Sequence, residues 1–241
     1  MEANPPLKRA HARRLRDVYR SAGWPYQDLV ELELLAAGLL EQVVEPSGHT
    51  TVRLTETGVR YVAESAGQNR QTRSAHEDLV EQVAREMMRE GRIVWTGLSL
   101  RARVTNSDGE GNWKWCMPDV FSIRNSSVEA YLEPVVHEIK VNRADLLGDL
   151  KRPEKRQAYL DVGGQCWYVL GRDTKGRPIG LPEEIPVECG VMIVSESGIE
   201  VVRTAPKRPS VKLPFMVWMA LAKAAPMDRN MMDKEGLRQI G

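Results

Sequence analysis

Met117-Pro118-Asp119-Val120 and, after a short gap, Val135-Val136-His137-Glu138-Ile139-Lys140-Val141 decide how this chain is read. Both are short runs of β-branched and apolar residues bounded by turn material, the pattern of β-strands. In the second run, two-residue alternation puts Val136, Glu138 and Lys140 on one face. Val135, His137, Ile139 and Val141 fall on the other. An acid and a base two apart on an otherwise apolar strand are costly to bury unless they pair or bind something. Asp119 and Glu138 stand 138 − 119 = 19 positions apart, room for a hairpin that brings adjacent strands together. Two carboxylates and an ammonium at one sheet edge suit a magnesium ion, which takes one or two carboxylates and completes its shell with water and phosphate. The Ile139 carbonyl could add a third protein ligand. Such a metal polarises a phosphoryl oxygen and acidifies an attacking water, and Lys140 could hold that water or offset charge on the phosphate. The competing reading is an exposed strand edge with an ordinary Glu–Lys pair.

The 241 residues allow two small domains or one large one. An apolar fraction of 42% and a charged fraction of 28% are ordinary for a globular chain. A net charge of +1 excludes a uniformly basic protein, so any nucleic-acid surface must be local. No segment approaches the roughly 18 consecutive apolar residues of a membrane span, and Met1-Glu2-Ala3-Asn4-Pro5-Pro6 lacks a signal peptide's apolar core. The expectation is a cytoplasmic protein with no membrane partner. Cys116, Cys166 and Cys189 are odd in number and far apart, which argues for buried thiols rather than a disulfide framework or a zinc motif.

Residues 7–21 and 27–37 read as helices, the first rich in arginine and the second carrying Asp28, Glu31 and Glu33 with no base. Strands at 39–44 and 51–54 flank the turn Pro46-Ser47-Gly48-His49, and a helix opens at Thr55-Glu56-Thr57-Gly58 and runs through Val62. Ala37-Gly38-Leu39-Leu40-Glu41, the Gly48 turn and Leu54-Thr55-Glu56-Thr57-Gly58 resemble a winged helix-turn-helix domain over residues 7–64. In such domains one helix commonly enters the major groove, and the same fold also serves protein docking or dimerisation. The domains expected are therefore 1–66 (winged-helix-like), a linker at 67–74 where apolar residues are scarce, 75–205, and a helical tail at 206–241. In the third of these, a helix at 75–90 carries Leu79, Val80, Val83, Ala84 and Met87 as a stripe. Strands are expected at 92–95, 98–104, within 113–123, along Val135–Lys140, at 165–170, 187–194 and 198–203. Helices fall at 143–150, 153–160 and 215–224, with a turn at 106–112. That order predicts an α/β fold, a mixed central sheet flanked by helices.

Pro118-Asp119 followed by Glu138-Ile139-Lys140, between two helices, resembles the PD-(D/E)XK nuclease superfamily. The run Glu138-Ile139-Lys140-Val141-Asn142-Arg143-Ala144-Asp145-Leu146-Leu147-Gly148-Asp149 is similar to MmcB-type DNA-repair endonucleases, and Ile185-Pro186-Val187-Glu188-Cys189-Gly190-Val191 echoes their late segment. The likeness spans residues 74–208. It implies a restriction-endonuclease-like fold and Mg2+- or Mn2+-dependent cleavage of DNA phosphodiesters in repair or related processing. It also implies Asp119 and Glu138 as metal ligands and Lys140 as the catalytic lysine. Many members supply a further glutamate from the first helix. Glu77 or Glu81 could serve, and Glu77, Val80 and Val83 resemble the first helix of Holliday-junction resolvases. The segment 103–114 and the N-terminal domain depart from the MmcB pattern.

Arg143, Lys151, Arg152, Lys155 and Tyr159 follow the motif and are candidates for contact with DNA, Lys155 and Tyr159 lying one helical turn apart. Arg143 could instead pair with Asp145 or Asp149. Trp113 and Trp115 share a strand face and, like Trp167, Tyr168 and His137, suit a core. His76 is a weak candidate beside Glu77. The function expected is a metal-dependent DNA endonuclease, with room for a homodimer. The rival is a DNA-binding regulator whose nuclease fold does not cut.

Overall fold

The computed structural model describes residues 7–21, 23–105, 111–173, 175–208 and 212–228, and of residues 68, 69 and 103–105 the backbone alone. The expected turn at 106–112 and the end of the C-terminal tail lie largely outside that set. The chain divides into two units, Met1–Arg73 and Ser74–Gly241.

The first unit contains α1 (Arg9–Arg20), α2 (Leu29–Ala36), a hairpin of β1 (Leu40–Val44) and β2 (Thr50–Leu54), and the opening of α3 (Glu56–Arg89). Leu15, Val18, Leu34, Leu39, Leu40 and Val52 form its core. The acids of α2 are spent inside the unit. Asp28 accepts two hydrogen bonds from Arg14 (2.9 and 2.6 Å) and caps α2 through the Glu31 N–H. Glu31 accepts from the Tyr26 and Gln27 N–H groups, and Glu33 meets His11. Gly38 closes α2 in the left-handed conformation (φ 66°), with Leu39 N–H returning to the Leu34 carbonyl.

One expectation fails here. Residues 67–74 are helical, because α3 runs without a break from Glu56 to Arg89. The stretch is exposed from Arg70 to Ala75 and has no apolar stripe, yet only Gly67 among its residues disfavours a helix strongly. A helix that is polar all round reads, by composition alone, like a linker.

The second unit is built on a six-stranded sheet in the order β10 (Gly198–Arg203), β9 (Gly190–Ser195), β8 (Gln165–Leu170), β7 (Val135–Lys140), β6 (Val120–Arg124), β3 (Arg92–Thr96). β7, β8 and β9 are parallel, and the remaining neighbours are antiparallel. The fold is α/β with a mixed central sheet, as expected. β7 lies near the middle and all six of its residues are buried. Its alternation is as the sequence implies. Val135 and Ile139 pack with Leu79, Val83, Ala84 and Met87 of α3. Val136 packs in a separate core with Leu146 of α4 (Arg143–Leu150), Ala158 and Val162 of α5 (Pro153–Val162), and Val217 and Leu221 of α6 (Phe215–Lys223).

Two further differences concern residues 98–123. Met117-Pro118-Asp119, read from the sequence as part of a strand, is instead the break between β5 (Gly111–Cys116) and β6. β5 pairs with β4 (Leu100–Thr105) as a separate two-stranded sheet. Leu100, Ala102 and Cys116 are the inner side of that hairpin. Trp113 and Trp115 do share a face, but it is the outer one, 56% and 64% exposed. All three cysteines are buried free thiols.

Two consequences for stability follow. A Cβ on Gly190 would meet Trp167 at 2.3 Å and the Ala205 nitrogen at 2.7 Å, so Gly190→Ala should cost ~1–3 kcal/mol of overpacking strain; an unchanged urea midpoint would contradict this. His137 is buried against Trp167 with neither ring nitrogen hydrogen bonded among the described residues, and burial depresses its pKa from 6.5 to about 3. The unfolded chain therefore binds the extra proton between those values, so stability is full above about pH 6.5 and falls as pH drops towards 3, by up to ~1.4 kcal/mol per pH unit. His137→Leu should flatten that part of the stability–pH curve, and an identical slope in the variant would refute the assignment.

Candidate active site

β6 accompanies β7 only as far as the pair Val120–His137. Beyond it the Ile139 N–H has no strand partner, and Asp119 supplies one, accepting it at Oδ2 (2.7 Å). N–H and C=O of one strand residue leave on the same side, so the Ile139 carbonyl points to the Asp119 edge as well. Lys140, one residue on, turns its carbonyl the other way, to the Gly171 N–H. This is the carboxyl end of parallel strands, where open α/β sheets place their sites.

On the opposite face from α3, Glu138 and Lys140 are 2% and 4% exposed. Lys140 Nζ donates to Glu138 Oε1 at 2.6 Å and also faces Asp145 (3.1 Å) and Asp149 (3.7 Å) of α4. Lys155 of α5 donates to the same Glu138 oxygen (2.5 Å) and to Asp149 Oδ1 (2.6 Å). The other Asp149 oxygen accepts the Tyr168 hydroxyl (2.7 Å). Tyr159 packs under Lys155 and donates its hydroxyl to the Met117 carbonyl at 3.0 Å, tying α5 to the Pro-Asp loop. Glu138 Oε2 is buried and has no hydrogen-bond partner among the described residues.

Charge explains the arrangement. Burial pushes the Glu138 pKa up, Asp119 adds to that, and the two lysines only partly offset it. Burial alone would lower the pKa of Lys140, but Glu138, Asp149 and Asp145 more than reverse it and hold the ammonium charged. Burial would likewise make Asp149 a weaker acid, yet Lys155, Lys140 and Tyr168 bring it below the ordinary range. Asp119, Glu138, Asp145 and Asp149 set against Lys140 and Lys155 leave 2 − 4 = −2 with His76 neutral, and 3 − 4 = −1 with it charged. Either excess favours a bound cation, and the unpartnered Glu138 oxygen is a group such a cation would satisfy. Among the described residues no three His, Cys, Asp or Glu side chains form a ready ligand set. A metal held here would rest on Asp119, Glu138 and the Ile139 carbonyl, with water and phosphate completing the shell as Mg2+ permits.

The other residues singled out in the sequence divide. Lys155 and Tyr159 join the cluster. Arg143 pairs through both guanidinium nitrogens with Glu184 (2.7 and 2.6 Å), rather than with Asp145 or Asp149. Lys151 and Arg152 are exposed. Glu77 is exposed on α3, Glu81 pairs with Arg85 at 2.7 Å, and it is His76 that α3 brings to Asp119 (3.4 Å). The hydrogen bond with Asp119 raises the His76 pKa. Asp149 and Tyr168 were not legible as site residues. Asp149 was visible only as a rival partner for Arg143, and Tyr168 reads as core because its ring is core while its hydroxyl is not.

No family model matches the chain, and no curated protein matches it. Among solved structures it is similar to the SPO1766 protein of unknown function from Silicibacter pomeroyi, 23% identical, with 65% of this chain and 86% of that one covered and a TM-score of 0.36. A likeness of that size bears on neither fold nor function.

The network predicts unequal costs. Asp149→Asn leaves two ammonium groups sharing one buried carboxylate and should destabilise the chain by ~3 kcal/mol or more. Tyr168→Phe, which deletes one hydrogen bond to a charged group, should cost about 1–3 kcal/mol. Chemical denaturation would measure both, and a Tyr168→Phe cost exceeding that of Asp149→Asn would contradict the network as described.

Proposed function

We propose that the chain is a Mg2+- or Mn2+-dependent DNA endonuclease that hydrolyses phosphodiester bonds at the carboxyl end of β7, in DNA repair or related processing. The observation that carries this reading is Glu138, a buried carboxylate with one oxygen unpartnered, beside Asp119 and an ammonium two residues away. The resemblance of these residues to the PD-(D/E)XK and MmcB-type motifs supports it.

Bound metal would polarise the scissile phosphate and acidify a water molecule. The protein's own contribution is positional. The Ile139 N–H fixes the Asp119 carboxylate, so one ligand is oriented by backbone rather than by a free rotamer. Lys140, kept charged by its acids, can orient the attacking water or balance negative charge growing on the phosphorane oxygens. Lys155 holds Glu138 from the α5 side and Tyr159 ties that helix to Met117, which limits drift of the Pro-Asp loop. Lys151 and Arg152, exposed beside this cluster, suit the DNA backbone, whose contacts would give salt-sensitive, sequence-independent affinity.

Incubation with single-stranded, duplex, flapped and branched DNA, with and without Mn2+, tests the reading. Cleavage should require the metal, and Lys140→Ala should lower its rate by at least ~100-fold, the scale of removing one group that stabilises transition-state charge. Mn2+ titration by calorimetry should lose its binding signal in Glu138→Gln whether or not a cleavable substrate has been found. Tight DNA binding with no cleavage and no Mn2+ binding would instead favour a regulator that uses the fold without cutting.

A further inference from the structure

The outer face of the β4–β5 hairpin is the most unusual surface of the second unit. Its inner residues, Leu100, Ala102 and Cys116, share a core with Ala158 and Tyr159 of α5. On its outer face Trp113 and Trp115 stand exposed, and across the ladder Arg101 is paired with Trp115. The Arg101 guanidinium carbon stands 4.4 Å from the Trp115 ring centroid, so a cation stiffens the indole, while 64% of the residue remains exposed. Two large rings held out to solvent on a short ladder forfeit the burial that normally justifies a tryptophan.

Trp115 is also continuous with the candidate site. A groove of about 370 Å³ runs from Trp115 past Met117 and Arg152 to Lys155 and Tyr159. Lys155 is the residue that grips Glu138. The groove carries Lys114, Arg152 and Lys155 against the single acid Glu154. Its charge therefore suits a polyanion, and its aromatic end suits flat, apolar rings. Phosphates would use the cations and unpaired bases the rings, whereas paired bases inside a duplex do not present their faces to a side chain.

We infer that the Trp113–Trp115 face stacks on unpaired bases of the substrate and leads their phosphates along this groove to Glu138 and Lys140, so that the preferred substrate contains single-stranded DNA. The inference rests on the nuclease reading for the identity of the site at the groove's end. Base–aromatic stacking tolerates every base, so the surface selects DNA structure rather than sequence.

Anisotropy of fluorescein-labelled oligothymidine, and of a blunt duplex of equal length, measured on the full chain in EDTA, tests the surface without requiring cleavage. Oligothymidine should bind more tightly than duplex. Trp115→Ala and Trp113→Ala should each weaken oligothymidine binding by roughly tenfold, the size of one lost stacking partner, and leave duplex binding unchanged. Trp115→Phe should retain most of the affinity. Both positions are more than half exposed, so thermal melts of the variants should match the parent. Variants that bind oligothymidine as the parent does, or that lose duplex and single-strand binding equally, would overturn the inference. So would a parental dimer that Trp115→Ala dissolves, since the face would then be a self-association surface. The two readings fail separately: a stacking defect in a chain that never cuts would sink the nuclease and keep the surface, whereas metal-dependent cleavage indifferent to both tryptophans would do the reverse.

Discussion

Everything around the site follows from placing the Glu138 carboxylate inside the sheet. A lone buried carboxylate is far too costly to keep charged, and its neighbours are the compensation. Lys140 comes from the same strand and Lys155 from α5, both to one oxygen. Those two ammonium groups need more negative charge than Glu138 supplies, so Asp149 is buried with them and is itself steadied by the Tyr168 hydroxyl. One carboxylate thereby determines what α4, α5 and β8 must present at that end of the sheet.

The same cluster explains why the fold and the chemistry are hard to separate. α5 carries Lys155 and Tyr159 to the site and also packs against the inner side of the β4–β5 hairpin. A change in how that hairpin seats would move the helix that holds Glu138. Stability and the proposed chemistry draw on shared residues here, and variants in this region need both read out.

Much of the centre was legible in the sequence because it is local. Alternation along Val135–Lys140 places Glu138 and Lys140 on one face, and the structure splits the two cores of the sheet along that alternation. What the sequence withheld is of two kinds. Alternation shows that Trp113 and Trp115 share a face but not which side is inside, and only the packing of Leu100, Ala102 and Cys116 on α5 decides that. Asp149 and Tyr168 meet from different elements, 168 − 149 = 19 residues apart, and no local pattern marks such a pair. The helix across residues 67–74 was missed for another reason. Polar residues compatible with a helix look the same in a linker, and nothing buried betrays them.

Asp119 has two occupations that no substitution can satisfy together. Its Oδ2 closes the backbone ladder at Ile139, while its charge belongs to the acidic cluster. Asparagine would keep an oxygen for the N–H but surrender the charge, and glutamate would keep the charge at the wrong reach. The position therefore has almost no neutral neighbours in sequence space, and a lineage that abandoned the chemistry could still be obliged to retain the aspartate as a strand ending. Its presence alone is a poor marker of an active centre, and the Glu138–Lys140 pair is the better one.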